Sequence, residues 1–312
     1  MTELLFSLNA TVPVFLLILL GYIIYKLGII NDDFIKVANK FNFTVTLPVL
    51  LFKDLSSNNF TQNLDLKYIL FCATTTSICF WGIWLLAKLL IKDKKIIGAF
   101  VQASFRGSAA VLGIAFIQNI YGNSSIAPMM IIGTVPLYNI YSVIVLTMES
   151  NNGSKKSVKE ATFNLIKNPI IISIFVGLIF SAFNFDFPVI IDKTITNIAA
   201  IASPLALICI GAAFKGLSAI SAVKPTLAAA TIKLIILPAL FLPIAVYFGY
   251  TNEKLVALIV MLASPTTPSC YIMAQTMGND ENLTASIVVV ATLFSSITLT
   301  ILVYILKSLA LI

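Results

Sequence analysis

Residues 263–269 read Ala263-Ser264-Pro265-Thr266-Thr267-Pro268-Ser269 and interrupt an apolar run that extends over 254–277. About 20 apolar residues suffice for a helix to cross a ~30 Å hydrocarbon core, so the run is long enough to span a membrane. Its centre is unfit for a regular helix, because each proline lacks an N–H and its ring clashes with the preceding turn. Pro265 and Pro268 together leave backbone carbonyls without partners near mid-span. Such a break persists only where it is buried in protein or lines a wet cavity. A second stretch, Gln102-Ala103-Ser104-Phe105-Arg106-Gly107-Ser108-Ala109, likewise places small and polar residues in the middle of an apolar run, over 96–120.

Outside these two runs the chain is apolar in the same way. Further runs fall at about 5–27, 34–55, 66–91, 124–148, 163–184, 188–213, 223–249 and 284–308, giving ten candidate spans in 312 residues. Hydrophobic residues make up 59% and charged residues 11%, where a soluble domain carries roughly a quarter charged. The fold class expected is therefore an all-α integral membrane protein. Histidine is absent, which removes Ser-His-Asp and Cys-His nucleophilic sites, histidine zinc sites and imidazole relays. Cys72, Cys79, Cys209 and Cys270 lie in apolar segments without CxxC spacing and read as small buried hydrophobes. An enzyme is not expected, and neither a cofactor nor a metal is assigned.

The formal net charge of +7 does not mark a nucleic-acid binder, since no polar segment carries a basic stripe. The cations instead read as topology. Lys and Arg accumulate in cytoplasmic loops, and thirteen of the twenty fall in the first, third, fifth and seventh connections: Lys26, Lys36, Lys40, Lys88, Lys92, Lys94, Lys95, Lys155, Lys156, Lys159, Lys167, Lys215 and Lys224. Both termini are then expected outside a plasma membrane. No basic stretch precedes the first run, so that run reads as a retained helix and not as a cleaved signal.

The two halves resemble each other. At an offset of 156 residues Pro13 aligns with Pro169, Gly21 with Gly177, Pro48 with Pro204, Gly122 with Gly278 and Asn123 with Asn279. This divides the chain into a five-span repeat over 1–150, a cytoplasmic linker over 151–162 and a second repeat over 163–312. An odd number of spans in each half inverts the second relative to the first, an architecture of secondary transporters. Interrupted spans at corresponding positions of two such halves are where transporters bind substrate.

Arg106 is the sharpest candidate, being the only arginine and lying about a dozen residues, or about 18 Å of helix, from Lys94 and Lys95. An ionisable group at that depth costs roughly 2.5–3.5 kcal/mol on insertion scales and marks a pathway, a partner or a ligand. All thirteen acids lie at span ends or in loops, so no internal anion is evident. The guanidinium then invites an external carboxylate, which it matches in bidentate geometry. The alternative is a structural clamp on carbonyls of the broken ninth span. Ser104, Gly107 and Ser108 beside it, and Pro265, Thr266, Thr267, Pro268 and Ser269 in the other break, complete the candidate site. Asn42 and Thr46, with Asn39 and Thr44, precede Pro48; Asn197 and Ser203 precede Pro204; Tyr138 and Asn139 follow Pro136. All are further candidates to line the cavity, although Ser and Thr in such helices also bond their own i−4 carbonyl. Lys233, about nine residues into the eighth run, is expected to snorkel to the interface.

The stretches VPVFLLILLGYIIYKLGII (12–30), FNFTVTLPVLLF (41–52), ASFRGSAAVLGIAF (103–116), KLIILPAL (233–240) and SPTTPSCYIMAQTMGNDENLTASIVVVATLFSSITL (264–299) resemble the auxin efflux carrier family, in particular its short bacterial permeases. The resemblance covers nearly the whole chain. It implies ten helices in two inverted five-helix repeats, with broken helices four and nine crossing in a transport domain that moves against a scaffold. Bile-acid sodium symporters and sodium/proton antiporters share that fold. It also implies an organic-anion cargo, auxin in plants and malate or related carboxylates in bacterial members. The family commonly carries an asparagine just after the arginine–glycine stretch of the fourth span; Ser108 and Ala109 stand there in this chain, leaving Arg106, Ser104, Ser108, Thr266 and Thr267 to hold a carboxylate.

The function expected is a permease that moves small organic anions by alternating access. Two readings stay open beside it: a sodium-coupled symporter of the bile-acid type, with sodium among Ser104, Thr266, Thr267 and Ser269, and an anion channel with Arg106 in its pore. Proton coupling through an internal carboxylate or imidazole is not expected, because no acid lies at midplane depth and histidine is absent; a coupled proton would travel on the weak acid itself. The lipid bilayer and a small organic anion are the expected partners, nucleic acid is not, and a homodimer is an assembly that the residues leave undecided.

Overall fold

The computed structural model describes residues 2–56, 65–109, 117, 120, 121, 126–150, 167–183, 185, 187–213 and 223–312. The linker expected over 151–162, the second half of the fourth run, and Gly122 and Asn123 of the repeat alignment lie outside the described residues. Among the described residues the fold is helical throughout and contains no strand. In chain order the helices are α1 (Thr2–Lys26), α2 (Asp32–Phe41), α3 (Leu47–Ser56), α4 (Leu66–Leu90), α5 (Ile97–Phe105), α6 (Ala127–Met148) and α7 (Pro169–Ala182). They continue as α8 (Val189–Ala213), α9 (Val223–Thr231), α10 (Leu237–Tyr247), α11 (Asn252–Ala263), α12 (Ser269–Thr276) and α13 (Glu281–Ser308). Among the described residues five helical stretches, Leu66–Leu90, Ala127–Met148, Val189–Ala213, Val223–Tyr247 and Glu281–Ser308, are long and apolar enough to cross a membrane.

Two of the expected runs are not regular helices. Between α2 and α3 the chain forms a π-turn segment over Asn42–Thr46, and between α9 and α10 another over Ile232–Ile236. Each precedes a Leu-Pro pair, Leu47-Pro48 and Leu237-Pro238. Proline withholds one ladder N–H, and the leucine N–H before it reaches five residues back, to the Asn42 and Ile232 carbonyls. The helix thus continues through the proline with a local bulge of a kind frequent at functional sites.

Close packing of small residues holds the helices together, as membranes favour. α1 packs on α8 and α13, α3 on α7 and α8, α4 on α5 and α6, and α10 on α11. At the α1–α8 crossing Gly21 lies against the Ile208 carbonyl and Gly211 against the Ile18 carbonyl, with no room for a Cβ at either. Phe80 of α4 stacks on Tyr141 of α6 with ring centroids 4.4 Å apart. The four cysteines are free and buried, as their apolar surroundings imply. Large apolar side chains such as Leu90, Ile190 and Tyr247 are exposed on the outside of the bundle, the arrangement of a protein whose solvent is lipid.

Among the described residues the ion pairs sit at the helix ends. Asp65 caps α4 through the Tyr68 N–H at 3.0 Å and pairs at 2.6 Å with Lys254 at the start of α11. That hydrogen bond from Lys254, followed by the one from Tyr68, holds the Asp65 carboxyl below the usual carboxylate range. Glu149, just past α6, accepts from the Trp84 indole at 2.8 Å and pairs with Lys88 at 3.0 Å.

Candidate functional site

The two interrupted stretches meet. α5 ends at Phe105 and the chain is non-helical over 106–108; α11 ends at Ala263 and the helix resumes at Ser269. Each break then carries carbonyls that a continuous helix would have satisfied, and buried carbonyls need donors. The Ser108 N–H donates to the Pro265 carbonyl at 3.0 Å. The Thr266 hydroxyl donates to the Ala103 carbonyl at 2.8 Å. The Met261 carbonyl, deprived of its i+4 donor by Pro265, accepts from the Tyr138 hydroxyl at 2.8 Å and from Lys233 Nζ at 3.0 Å. Lys233 Nζ also donates to the Phe105 carbonyl at 3.2 Å.

Lys233 therefore does not snorkel. It lies in the π-turn segment, is fully buried, and points inward between the two breaks. Position along the run placed it within reach of the interface; the carbonyls freed by both breaks supply the partners that a buried ammonium requires. Gly107 makes room for it, since a Cβ there would stand 2.8 Å from Lys233 Nζ.

Arg106 is 4% exposed, and its terminal nitrogens donate to Asn139 Oδ1 at 2.8 Å, Met273 Sδ at 2.8 Å and Ser142 Oγ at 3.4 Å. It is bound by side chains of α6 and α12, and none of these contacts is a carbonyl of the ninth-run break. Asn139 and Ser142 are themselves fixed, through Asn139 Nδ2 to the Val135 carbonyl at 2.9 Å and Ser142 Oγ to the Tyr138 carbonyl at 2.6 Å. Among the described residues no carboxylate bonds or pairs with the guanidinium.

Beside Arg106 lies a cavity of about 60 Å³. Arg106, Gly107, Ser108, Asn139, Thr267 and Ser269, all expected from the sequence, line it. The Thr267 and Ser269 hydroxyls stand 3.3 Å apart on its wall. Tyr138 and Ser203, also expected from the sequence, line it as well. The site candidates that follow are turned elsewhere. Ser104 bonds the Phe100 carbonyl of its own helix at 2.6 Å, and Thr266 serves Ala103. Pro265 and Pro268 shape the break without facing the cavity. Asn42 accepts from Thr46 and donates to the Ala202 carbonyl at 2.8 Å, so this pair joins the α2–α3 span to α8. Asn39 bonds Gln275 of α12 and Tyr271. The four oxygens expected for sodium thus divide, Thr267 and Ser269 on the cavity and Ser104 and Thr266 on backbone carbonyls.

The cavity also includes Asp54, which the sequence reading passed over as a residue at a span end. A signal was present: Leu47, Leu50, Leu51 and Asp54 follow the i, i+3, i+4, i+7 spacing of one helix face, and all four line the cavity. A carboxylate therefore faces the site, and the exclusion of an internal acid does not hold.

Residues 6–303 match the family model described as "Membrane transport protein". The chain belongs to that family. It is the family of the auxin efflux carriers, and the protein is a membrane transporter, not an enzyme. The transporter is 26% identical over 305 residues to a Rhizobium meliloti protein named "Putative malonate transporter", covering 95% of this chain and 94% of that one. It is 21% identical over 305 residues to an uncharacterized transporter of Methanocaldococcus jannaschii, covering 92% and 95% respectively.

Proposed function

We propose that the transporter is a ten-span secondary carrier of two inverted five-helix repeats, over 1–150 and 163–312, that moves small carboxylates across the plasma membrane by alternating access. The observation that carries this reading is Arg106: a buried guanidinium on the wall of a cavity that Asp54 also lines, hydrogen-bonded to Asn139, Ser142 and Met273 and to no carboxylate among the described residues. Taking a cation out of water is expensive unless an anion arrives, and a carboxylate is the anion a guanidinium fits best.

Three further features favour the same cargo. The N-terminus of α12 begins at Ser269 on the cavity wall, and helix N-termini favour anions. At about 60 Å³ the cavity has room for roughly four water-sized spheres, which suits a small mono- or dicarboxylate rather than a steroid. The name of the Rhizobium relative points to a cargo of that size. The carbonyls freed at the breaks are engaged by Lys233, Tyr138 and Thr266, which favours an anion carrier over a sodium-coupled symporter built on those carbonyls.

In this mechanism Arg106, held by Asn139, receives the substrate carboxylate together with the Thr267 and Ser269 hydroxyls. The two tied breaks move as a unit and expose the cavity to one side and then the other. The test is uptake of labelled malonate into proteoliposomes. Arg106→Lys, which keeps the charge and loses the fork, is expected to raise the apparent substrate constant at least tenfold, the effect of one charge-assisted hydrogen bond of about 1.5–3 kcal/mol. Saturable uptake by Arg106→Ala at the wild-type constant would overturn the assignment.

A further inference from the structure

Between α4 and the α9–α10 stretch lies a second hollow, a groove of about 790 Å³ that is more than ten times the volume of the Arg106 cavity. Its walls are apolar, with Ile78, Leu86 and Leu90 from α4 facing Ile236 and Leu240 from the other side. These side chains are exposed in the isolated chain. The groove exists because Gly82 leaves it open: a Cβ at that position would meet nothing within 4 Å. From Lys224 to Leu240 sixteen residues of helix extend about 24 Å at ~1.5 Å each. That exceeds the roughly 15 Å that one leaflet contributes to a ~30 Å core.

One end of this groove is basic. Lys92 and Lys224, from connections that are distant in sequence, both line it and both are exposed. Among the described residues no ion pair holds either. Asp93 lines the groove as well, so two ammonium groups stand there against one carboxylate. Asp93 accepts the Lys95 N–H at 3.0 Å, and Lys94 caps α4 by donating to the Lys88 and Ile91 carbonyls at 2.7 and 2.9 Å. An apolar slot of acyl-chain length, ending in two ammonium groups at the ends of apolar runs and held by no ion pair among the described residues, is complementary to a lipid that carries a negative phosphate. Basic pockets between transmembrane helices recognise such headgroups.

We propose that this groove is a binding site for an anionic phospholipid, with an acyl chain laid along Gly82 and the headgroup phosphate between Lys92 and Lys224. The site is separate from the substrate cavity and does not depend on the cargo proposed for it. Its floor includes Phe100 of α5 and Ile232, the residue before Lys233, so a bound lipid braces the two elements whose ends tie the helix breaks together.

The experiment compares dioleoyl phosphatidylglycerol with dioleoyl phosphatidylcholine on the purified full-length protein in neutral detergent. Retained lipid is read by native mass spectrometry and stabilisation by thermal unfolding. Phosphatidylglycerol is expected to be retained preferentially and to raise the unfolding temperature. The double variant Lys92→Gln, Lys224→Gln is expected to lower its affinity about 30-fold, near fivefold for each lysine, down to the level of phosphatidylcholine. Gly82→Leu, which fills the open space and improves helix propensity, is expected to keep the fold and lose both lipids. Equal retention of the two lipids by the unmodified protein, or undiminished phosphatidylglycerol binding in either variant, would overturn the proposal. So would stabilisation by inorganic phosphate that equals the lipid's and survives Gly82→Leu, since that would make the lysines a simple ion site.

Discussion

Thr266 and Thr267 are neighbours of identical chemistry, yet the structure gives them opposite duties, and their valine variants are expected to fail in opposite ways. Thr266 is 1% exposed and donates to the Ala103 carbonyl at 2.8 Å, a group that the fourth-run break deprives of its helical partner. Thr266→Val keeps the shape and removes the donor, leaving that carbonyl orphaned in a dry interior. An unmet buried acceptor costs about 1–3 kcal/mol, and hydrogen bonds between membrane helices measure about 0.6–1.7 kcal/mol, so a loss of about 1–2 kcal/mol is expected. For a chain of this length that lowers the unfolding temperature by about 2–4 °C. Substrate affinity should hold to within a few-fold, because the hydroxyl does not face the cavity.

The Thr267 hydroxyl bonds only Ser269 among the described residues, at 3.3 Å on the cavity wall. Thr267→Val removes little that the folded protein needs, and its unfolding temperature should stay within about 1 °C of wild type. It withdraws a donor from the carboxylate, about 1.5–3 kcal/mol, so the apparent constant for malonate should rise at least tenfold. The assays are thermal unfolding in detergent and concentration-dependent uptake in proteoliposomes, on both variants. The reasoning is refuted if Thr266→Val keeps full stability while weakening transport, or if Thr267→Val loses as much stability as its neighbour.

Three other outcomes follow from the geometry. Gly107→Ala places a Cβ against Ser264 Oγ, 2.8 Å from Lys233 Nζ and 3.0 Å from its Cε, so it should push aside the Ser264 side chain and the ammonium that holds the Phe105 and Met261 carbonyls; a variant with unchanged unfolding temperature and uptake would show that both side chains have slack. Pro265→Ala restores an N–H and up to about 3 kcal/mol of helix propensity, but healing the helix would break the Ser108–Pro265, Thr266–Ala103 and Lys233–Met261 bonds. Two neutral bonds and one charge-assisted bond, about 0.5–1.5 and 1.5–3 kcal/mol each, together outweigh the gain, so the break should persist in hydrogen exchange; slow exchange through 264–268 would contradict this. Asp65, held below the ordinary carboxylate value of about 4 by Lys254, contributes stability above that value and loses it as pH falls through its lowered folded value. Because 33% and 29% of the two side chains remain exposed, the pair is worth under about 1 kcal/mol. Asp65→Asn should therefore unfold slightly below wild type at pH 7 and converge with it as pH falls below the ordinary carboxylate range; a constant gap would rule out the ion pair as the cause.

The unmarked face of the second run shows how far pattern alone reaches. Leu47, Leu50, Leu51 and Asp54 share one helical stripe, and the stripe was legible, but a stripe acquires a meaning only when something faces it. Arg106, Asn139 and Ser269 come from three other elements, and their convergence turned Asp54 from a span-end acid into part of a cavity wall. Asn42 and Thr46 went the other way. Their polarity in an apolar run marked them as cavity residues, whereas the adjacent Ala202 carbonyl of α8 and their mutual bond absorb it.

By itself the sequence determined the solvent, the helical class and the two places where helices fail. Each of these is local: apolar composition sets the transfer energy of a run, and a proline lacks its N–H wherever the chain goes. It also singled out Arg106, because an isolated guanidinium deep in an apolar run is costly in any fold. Only the tertiary structure decided which polar groups satisfy the breaks and which remain for a ligand. Lys233 reaches Phe105 across 128 residues, and Thr266 reaches Ala103 across 163. A hydrogen bond acts within about 3 Å, so the duty of a side chain is fixed by which carbonyl packing brings to it, and spacing along the chain carries no record of that distance.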